Sequence, residues 1–179
     1  LAMLFHDFGK PDYASADENG TDHFHGHGAV SSKMAEEILK RLRYDNDTID
    51  RVRELVYWHD MEILPEKRAV RRAASKVGKE LFPLLLEVKQ ADLAAQSDYQ
   101  RPQKEEWLRS LHDIYEQIQE EGDCLSLKDL AVTGRDLIAA GMKPGPQLGQ
   151  TLQNLLQLVL EDPSRNSKEY LLSNLPKET

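Results

Sequence analysis

Apolar residues recur along most of the chain with the spacing of an α-helix. From Gly28 onward, Val30, Met34, Ile38 and Leu42 follow one another every four positions, with lysine and glutamate between them. This spacing places apolar side chains on one face of a helix, because one turn takes 3.6 residues. Similar stripes occupy residues 49–56, 81–88, 107–118 and 148–159. The sequence shows no alternating pattern typical of β-strands, so we predict an all-α fold.

Turn-forming residues divide these predicted helices into two groups. Gly9 and Pro11 end the opening apolar segment, and residues 12–26 are predicted to form a loop. The pattern breaks again at residues 120–123, which read Glu-Glu-Gly-Asp. We therefore predict a helical domain over residues 1–121, followed by a smaller C-terminal helical tail over residues 122–179.

Length and charge restrict the classes of function. At 179 residues the chain can bury a substantial core. Its formal net charge of −8 excludes a basic field over the whole surface, so nucleic acid would require a local patch. One such patch is predicted on the helix near residue 70, from Arg68, Arg71, Arg72, Lys76 and Lys79. A solvated helix face is the alternative explanation for this patch.

The single cysteine and the apolar segments point to a cytoplasmic protein. Cys124 alone allows neither an internal disulfide framework nor a cysteine-based zinc site, and it fits a reducing compartment. No segment is long enough to span a membrane, and no signal peptide is visible. Because Leu1 lies inside an apolar run, we expect this sequence to be a fragment of a longer protein.

The opening segment carries the strongest chemical signal. An apolar run leads into the adjacent pair His6-Asp7. Imidazole nitrogen and carboxylate oxygen are ligands for divalent transition metals. Burial of an unpaired carboxylate costs several kcal/mol or more, and a bound metal ion would remove that cost. The pair therefore predicts half of a metal site.

Three other positions qualify as the second half. His59 continues the apolar stripe of its helix, Asp92 lies four residues after Val88 on an inward face, and His27 closes the predicted loop. Each also has a simpler explanation: His59 as a hydrogen-bonded core residue, Asp92 as a buried partner of an arginine, and His27 as a solvated loop residue. For the other histidines, His23 and His25 are expected to be solvated, and His112 to lie at the edge of a buried face or outside it.

Histidines and aspartates gathered in the core of a helical bundle would bind one or two divalent metal ions. Such an ion lowers the pKa of a bound water and polarises a phosphoryl oxygen. The reaction class indicated by these residues is hydrolysis of a phosphate ester.

Residues 4–11, LFHDFGKP, resemble the signature of HD-domain phosphohydrolases. The resemblance implies that His6 and Asp7 are metal ligands and that Asp92 is the last ligand. It also implies that His27 and His59 are secondary ligands or bind phosphate, and that a first histidine ligand precedes Leu1. The metal would be magnesium, manganese or nickel.

A narrower resemblance involves several segments along the chain. HFHGH at residues 23–27, FPLL at 82–85, DLAVTGRDLI at 129–138 and GMKPGP at 141–146 are similar to the HD region and C-terminal helices of bacterial tRNA nucleotidyltransferases and poly(A) polymerases. In that family an N-terminal domain with a Gly-Ser motif and paired aspartates adds the nucleotides. Nothing in this sequence matches that domain, so this chain alone is not expected to add nucleotides.

The resemblance supports two hypotheses that are compatible in a full-length protein. In the first, the chain is the HD part of a CCA-adding enzyme and hydrolyses phosphomonoesters or 2′,3′-cyclic phosphates. Its predicted catalytic residues are His6, Asp7, His59 and Asp60, and its predicted metal ligands are His6, Asp7, Asp92 and His27. In the second, the chain is a non-catalytic module that binds the 3′ end and body of tRNA. Its predicted phosphate contacts are Arg68, Arg71, Arg72 and Lys143.

Overall fold

A computed structural model describes residues 1–13, 15–16, 22–23 and 26–176. The predicted all-α fold is confirmed. The helices are α1 (Ala2–Phe5), α2 (His27–Arg41), α3 (Asn46–Trp58), α4 (Lys67–Val77), α5 (Phe82–Ala95), α6 (Arg101–Glu120), α7 (Gly134–Ala139), α8 (Pro146–Glu161) and α9 (Lys168–Ser173). Short 3₁₀ turns cover Lys10–Tyr13, Leu127–Asp129 and Pro163–Arg165. A minimal antiparallel pair joins β1 (Ser15–Ala16) to β2 (Asp22–His23).

Packing divides the chain into two compact units. The first contains Leu1–Ile63 and Glu80–His112, and the second contains Leu64–Lys79 and Asp113–Thr179. Helix α6 therefore contributes to both units. The domain boundary predicted after residue 121 is a different division of the chain and stays a prediction. Among the described residues, no helix combines the length and the apolar character needed to cross a membrane.

The core of the first unit forms where α2 packs against α3, and α5 packs against α3 and α1. Leu39, Val56, Phe82, Leu85 and Leu86 are fully buried there. The buried face of α2 differs from the predicted stripe, because Leu42 is 58% exposed and Val30, Met34 and Ile38 are only half-buried. The face that packs inward consists mainly of small residues: Gly28, Ser31, Ser32 and Ala35.

Two glycines allow the elements of the first unit to approach each other closely. A Cβ on Gly28 would lie 3.0 Å from the carbonyl oxygen of Tyr57, so the absence of a side chain lets α2 pack tightly on α3. A Cβ on Gly9 would lie 2.8 Å from the carbonyl oxygen of His27. The backbone amide of Gly9 donates a hydrogen bond to Ser31 Oγ at 2.9 Å. These contacts hold the segment after α1 against the start of α2.

The second unit packs α4, α7, α8 and α9 around its own apolar core. Val70, Leu137, Leu155, Val159 and Leu171 are among its most buried side chains. Thr133 and Asp136 form a capping box at the start of α7, which satisfies backbone amides that the first helical turn leaves free. This unit contains residues 122–179 together with α4 and the end of α6.

Candidate metal centre

His6 and His59 occupy equivalent positions at the ends of two helices. His6 is the C-terminal cap of α1 and His59 is the C-terminal cap of α3. Each ring turns back on its own helix, so that Nδ1 donates a hydrogen bond to the carbonyl oxygen three residues earlier. The acceptors are Met3, at 2.9 Å, and Val56, at 2.7 Å. An aspartate follows each histidine.

These two hydrogen bonds determine which ring nitrogen is free to bind a ligand. A carbonyl oxygen can only accept a proton, so Nδ1 carries the hydrogen in both rings. In the neutral imidazole the lone pair is then on Nε2, which is the arrangement found in metal-binding histidines held by a backbone carbonyl. Burial is the main reason why the pKa of His59 lies below its usual value, and it favours this neutral form.

The Nε2 atom of His6 faces two carboxylates. It lies 3.3 Å from Asp7 Oδ2 and 3.4 Å from Asp92 Oδ1. A lone pair directed at two carboxylate oxygens is unfavourable unless a proton or a cation lies between them. Helix α5 thus brings Asp92 to the His6-Asp7 pair, with its side chain 35% exposed.

The other oxygen of Asp7 faces two histidines. Asp7 Oδ1 lies 3.4 Å from His27 Nε2 and 3.8 Å from His59 Nε2. The two Nε2 atoms are 3.0 Å apart. Asp7, His27 and His59 therefore offer three ligand atoms within 4.8 Å of one another, and both histidines are buried.

The chemistry of this cluster fits a divalent metal ion. Asp7 Oδ1 is buried and has no hydrogen-bond partner among the described residues. Leaving such an oxygen unpaired costs free energy, whereas a cation coordinated by it would remove that cost. Two imidazole nitrogens and a carboxylate oxygen are the ligand types of zinc, nickel and manganese sites. The structure thus contains a possible His/Asp metal site.

Lys10 supports the ionised form of Asp7. Burial alone raises the pKa of Asp7, but the hydrogen bond from Lys10, together with nearby positive charge, reverses this effect and holds the pKa below its usual value. Lys10 Nζ lies 2.7 Å from Asp7 Oδ2. The sequence signature contained Lys10, but its contact with the carboxylate becomes visible only in the structure.

Asp60 lies at the open side of the cluster. Its side chain is 65% exposed, and its Oδ2 is 3.9 Å from His27 Nδ1. This distance exceeds that of a hydrogen bond, so Asp60 acts on His27 mainly through its charge. The other sequence candidates lie apart from the cluster: His112 is half-buried on α6, in a groove that Arg101 and Arg109 also line. His25 lies outside the described residues, and only the backbone of His23 is described.

Most of the predicted basic patch has acidic partners. Arg71 is buried, with Nη1 3.1 Å from Asp123 Oδ2 and Nε donating to the carbonyl oxygen of Leu160 at 2.9 Å. Arg68 and Arg72 both form ion pairs with Glu161. The guanidinium donors of Arg71 are therefore used within the second unit, of which Arg71 is part. The side chains of Arg68 and Arg72 remain 57% and 52% exposed, and Lys143 lies exposed in the turn before α8.

Sequence comparisons connect most of the chain to tRNA-processing enzymes. The model of the family described as tRNA nucleotidyltransferase domain 2, putative, matches residues 27–175. A CC-adding tRNA nucleotidyltransferase of Thermus thermophilus is 34% identical over 163 residues, which are 90% of this chain and 36% of that protein.

Two relatives described as CCA-adding enzymes match shorter segments. The one from Pediococcus pentosaceus is 36% identical over 41% of this chain, and the one from Levilactobacillus brevis is 50% identical over 26% of it. These segments are 17% and 12% of the relatives' own lengths. The chain thus spans about a third, or less, of the curated relatives that it matches. The search of solved structures gave no significant match.

Proposed function

The chain belongs to the tRNA nucleotidyltransferase family, whose domain 2 matches residues 27–175. We propose that it is the helical part of an enzyme that matures the 3′ end of tRNA. Within that enzyme, we propose that the first unit is a metal-dependent phosphohydrolase of the HD type. Its substrates would be phosphomonoesters or 2′,3′-cyclic phosphates. Nucleotide addition itself belongs to a domain that this sequence does not match.

One observation carries the phosphohydrolase proposal: three imidazole Nε2 atoms converge on the two oxygens of a single carboxylate. His27 and His59 approach Asp7 Oδ1, whereas His6 approaches Asp7 Oδ2. A structural ion pair requires one such contact. A carboxylate that is shared between two groups of ligands suits one or two divalent ions.

The geometry suggests two ligand groups that share Asp7. His27 and His59 complete the first group, and His6 and Asp92 complete the second. A bound divalent ion would supply an acidic water and polarise the phosphoryl oxygen. Magnesium prefers oxygen ligands, so the histidines favour manganese or nickel over magnesium.

The remaining polar groups of the site have roles that do not require direct ligation. Lys10 keeps Asp7 ionised through its 2.7 Å contact, so the carboxylate stays ready to bind a cation. Asp60 orients the ring of His27 by its charge and lies exposed at the open side of the cluster. His59 stays neutral because it is buried, and its Nε2 therefore acts as an acceptor.

A matched pair of variants tests this function. The chain and the corresponding full-length protein would be assayed on bis(p-nitrophenyl) phosphate and 2′,3′-cyclic AMP, with magnesium, manganese or nickel supplied. We expect Asp7→Ala to lower the rate at least 100-fold, because it removes the ligand that both groups share. Asp113→Ala alters the other His-Asp dipeptide, on the exposed side of α6, and should keep the wild-type rate. Absence of hydrolysis with all three metals, or full activity in Asp7→Ala, would reject the proposal.

The second candidate function is a tRNA-binding module without hydrolytic activity. The observation in its favour is that Arg68, Arg72 and Lys143 keep exposed cationic side chains in the second unit. Cations of this kind contact phosphates without reading the nucleotide sequence. Both functions are compatible in one protein.

A further inference from the structure

Lys89 is a largely buried lysine on α5, one helical turn before Asp92. Its Nζ donates hydrogen bonds to the carbonyl oxygens of His59, at 2.7 Å, and Met61, at 2.8 Å. The ring of Trp107 lies 5.8 Å from the same ammonium group. Lys89 is the single cation of α5.

The two carbonyls belong to the turn that follows α3. Carbonyls at the end of a helix have no partner within the helix, and a lysine can satisfy them while complementing the negative end of the helix dipole. Lys89 does this from another helix. The contact therefore connects the turn that carries His59 and Asp60 with the helix that carries Asp92.

Burial of this ammonium group is unfavourable in itself. It lowers the pKa of Lys89 to about 8, against the opposing effect of the nearby carboxylates of Asp60, Asp92 and Glu62. A methionine would fill similar space without that cost, although it would leave both carbonyls without a donor. The buried charge thus serves the local arrangement of the backbone rather than the burial of apolar surface.

We propose that Lys89 is a positioning residue for the candidate metal centre. Its ammonium group holds the imidazole of His59 and the carboxylate of Asp92 at the separation that lets both groups of ligands meet at Asp7. This inference rests on the proposed function, because it concerns residues proposed as ligands. Side chains near a metal centre that orient its ligands commonly change metal affinity by about 10–100-fold when they are removed.

Binding of Co²⁺ to the full chain tests the proposal, since this ion reports its coordination geometry through its visible absorption spectrum. We expect Lys89→Met to weaken Co²⁺ binding by about 10–100-fold and to change the spectrum. Lys89→Arg keeps a cation and several hydrogen-bond donors. It should therefore recover part of the wild-type affinity and part of the wild-type spectrum. Lys33→Met removes an exposed lysine of α2 and should leave affinity and spectrum unchanged.

The outcomes separate this inference from the function on which it rests. If the wild-type chain does not bind Co²⁺, the metal centre itself is rejected, and the role of Lys89 with it. If Lys89→Met binds Co²⁺ with wild-type affinity and spectrum, only the positioning role is rejected, even if the variant is less stable.

If Lys89→Met does not fold, a measurement on the wild-type chain still tests the positioning role of Lys89. If Lys89 and the metal are coupled, the metal must also stabilise the contacts of Lys89, because such coupling is reciprocal. Saturating Co²⁺ should therefore slow the acetylation of Lys89 by acetic anhydride several-fold, without changing the rate at Lys33. Equal rates at Lys89 with and without Co²⁺ would overturn the proposal.

Discussion

At the scale of single residues, the candidate centre depends on how backbone carbonyls fix two imidazole rings. The sequence showed that His6-Asp7 follows an apolar run and that His59-Asp60 ends an apolar stripe. Both pairs lie at helix ends, where a histidine ring can reach the carbonyl three residues earlier. That contact selects the nitrogen that points to Asp7, and it depends on the cap conformation rather than on the residue pattern.

The burial of His59 predicts a pH dependence of stability. Because the pKa of His59 is lowered in the folded chain, the unfolded chain takes up a proton near pH 6.5 that the folded chain does not. The contribution of His59 is therefore fully present above about pH 6.5 and declines as the pH falls below it, by at most about 1.4 kcal/mol per pH unit. Urea unfolding at pH 7.5 and 5.5, with a chelator present, measures this change.

Two substitutions separate the effect of His59 from that of other titrating groups. His59→Gln should reduce the loss of stability between pH 7.5 and 5.5, because it removes the group that must be kept neutral. His112→Gln, at the half-buried position on α6, should retain the wild-type loss. An unchanged loss in His59→Gln would show that the ring is protonated as easily in the folded chain as in the unfolded one.

At the scale of helices, the sequence predicted long amphipathic helices well, but it did not predict where two helices approach each other closely. The stripe of α6 matches its buried face, because Leu108, Leu111, Tyr115 and Ile118 are large residues whose burial dominates the packing. On α2 the predicted stripe of Val30, Met34, Ile38 and Leu42 lies at the edge of the interface, although Leu39 is fully buried. The helix packs through small residues there, since Gly28 must approach the backbone of α3. Such a contact is a property of two elements and leaves no periodic signal in either.

The ion pair between α4 and the segment after α6 is a second contact that the sequence pattern did not predict. Arg71 belonged to a predicted basic patch, yet the structure buries it against Asp123. We expect Arg71→Met and Asp123→Asn each to lower the free energy of unfolding by about 3–5 kcal/mol, because each leaves a buried charge without its partner. The double variant should lose much less than the sum of the two.

A neighbouring arginine provides the control for this prediction. Arg72 is 52% exposed and pairs with Glu161 at the surface, so Arg72→Met should change the free energy of unfolding by less than about 1 kcal/mol. Urea unfolding of the four variants gives all these values. A small effect of Arg71→Met, combined with a loss of tRNA binding, would return Arg71 to the set of phosphate contacts.

At the scale of the whole molecule, charge and chemistry are divided between the two units. The candidate metal ligands all belong to the first unit, and the basic helix α4 belongs to the second. The net charge of −8 opposes long-range attraction of a polyanion. If the second unit contacts tRNA, exposed cations such as Arg68, Arg72 and Lys143 are the candidates for these contacts.

The three proposed contacts predict a weak dependence of tRNA binding on salt. Each neutralised phosphate contributes about −0.7 to −0.9 to the slope of log affinity against log salt concentration. Three contacts, from Arg68, Arg72 and Lys143, should therefore contribute about −2 to −3. The slope is measured by filter binding of tRNA to the full-length protein at salt concentrations between roughly 50 and 200 mM.

The substitution of all three cations by alanine should make the slope shallower by about that amount. The loss of affinity should be similar for different tRNAs, because phosphate contacts carry no sequence information. Lys33→Ala, in the first unit, should leave the slope unchanged. If the triple variant keeps the wild-type slope, these cations do not contact phosphates. The ion pairs of Arg68 and Arg72 with Glu161 would then mean that these arginines stabilise the second unit.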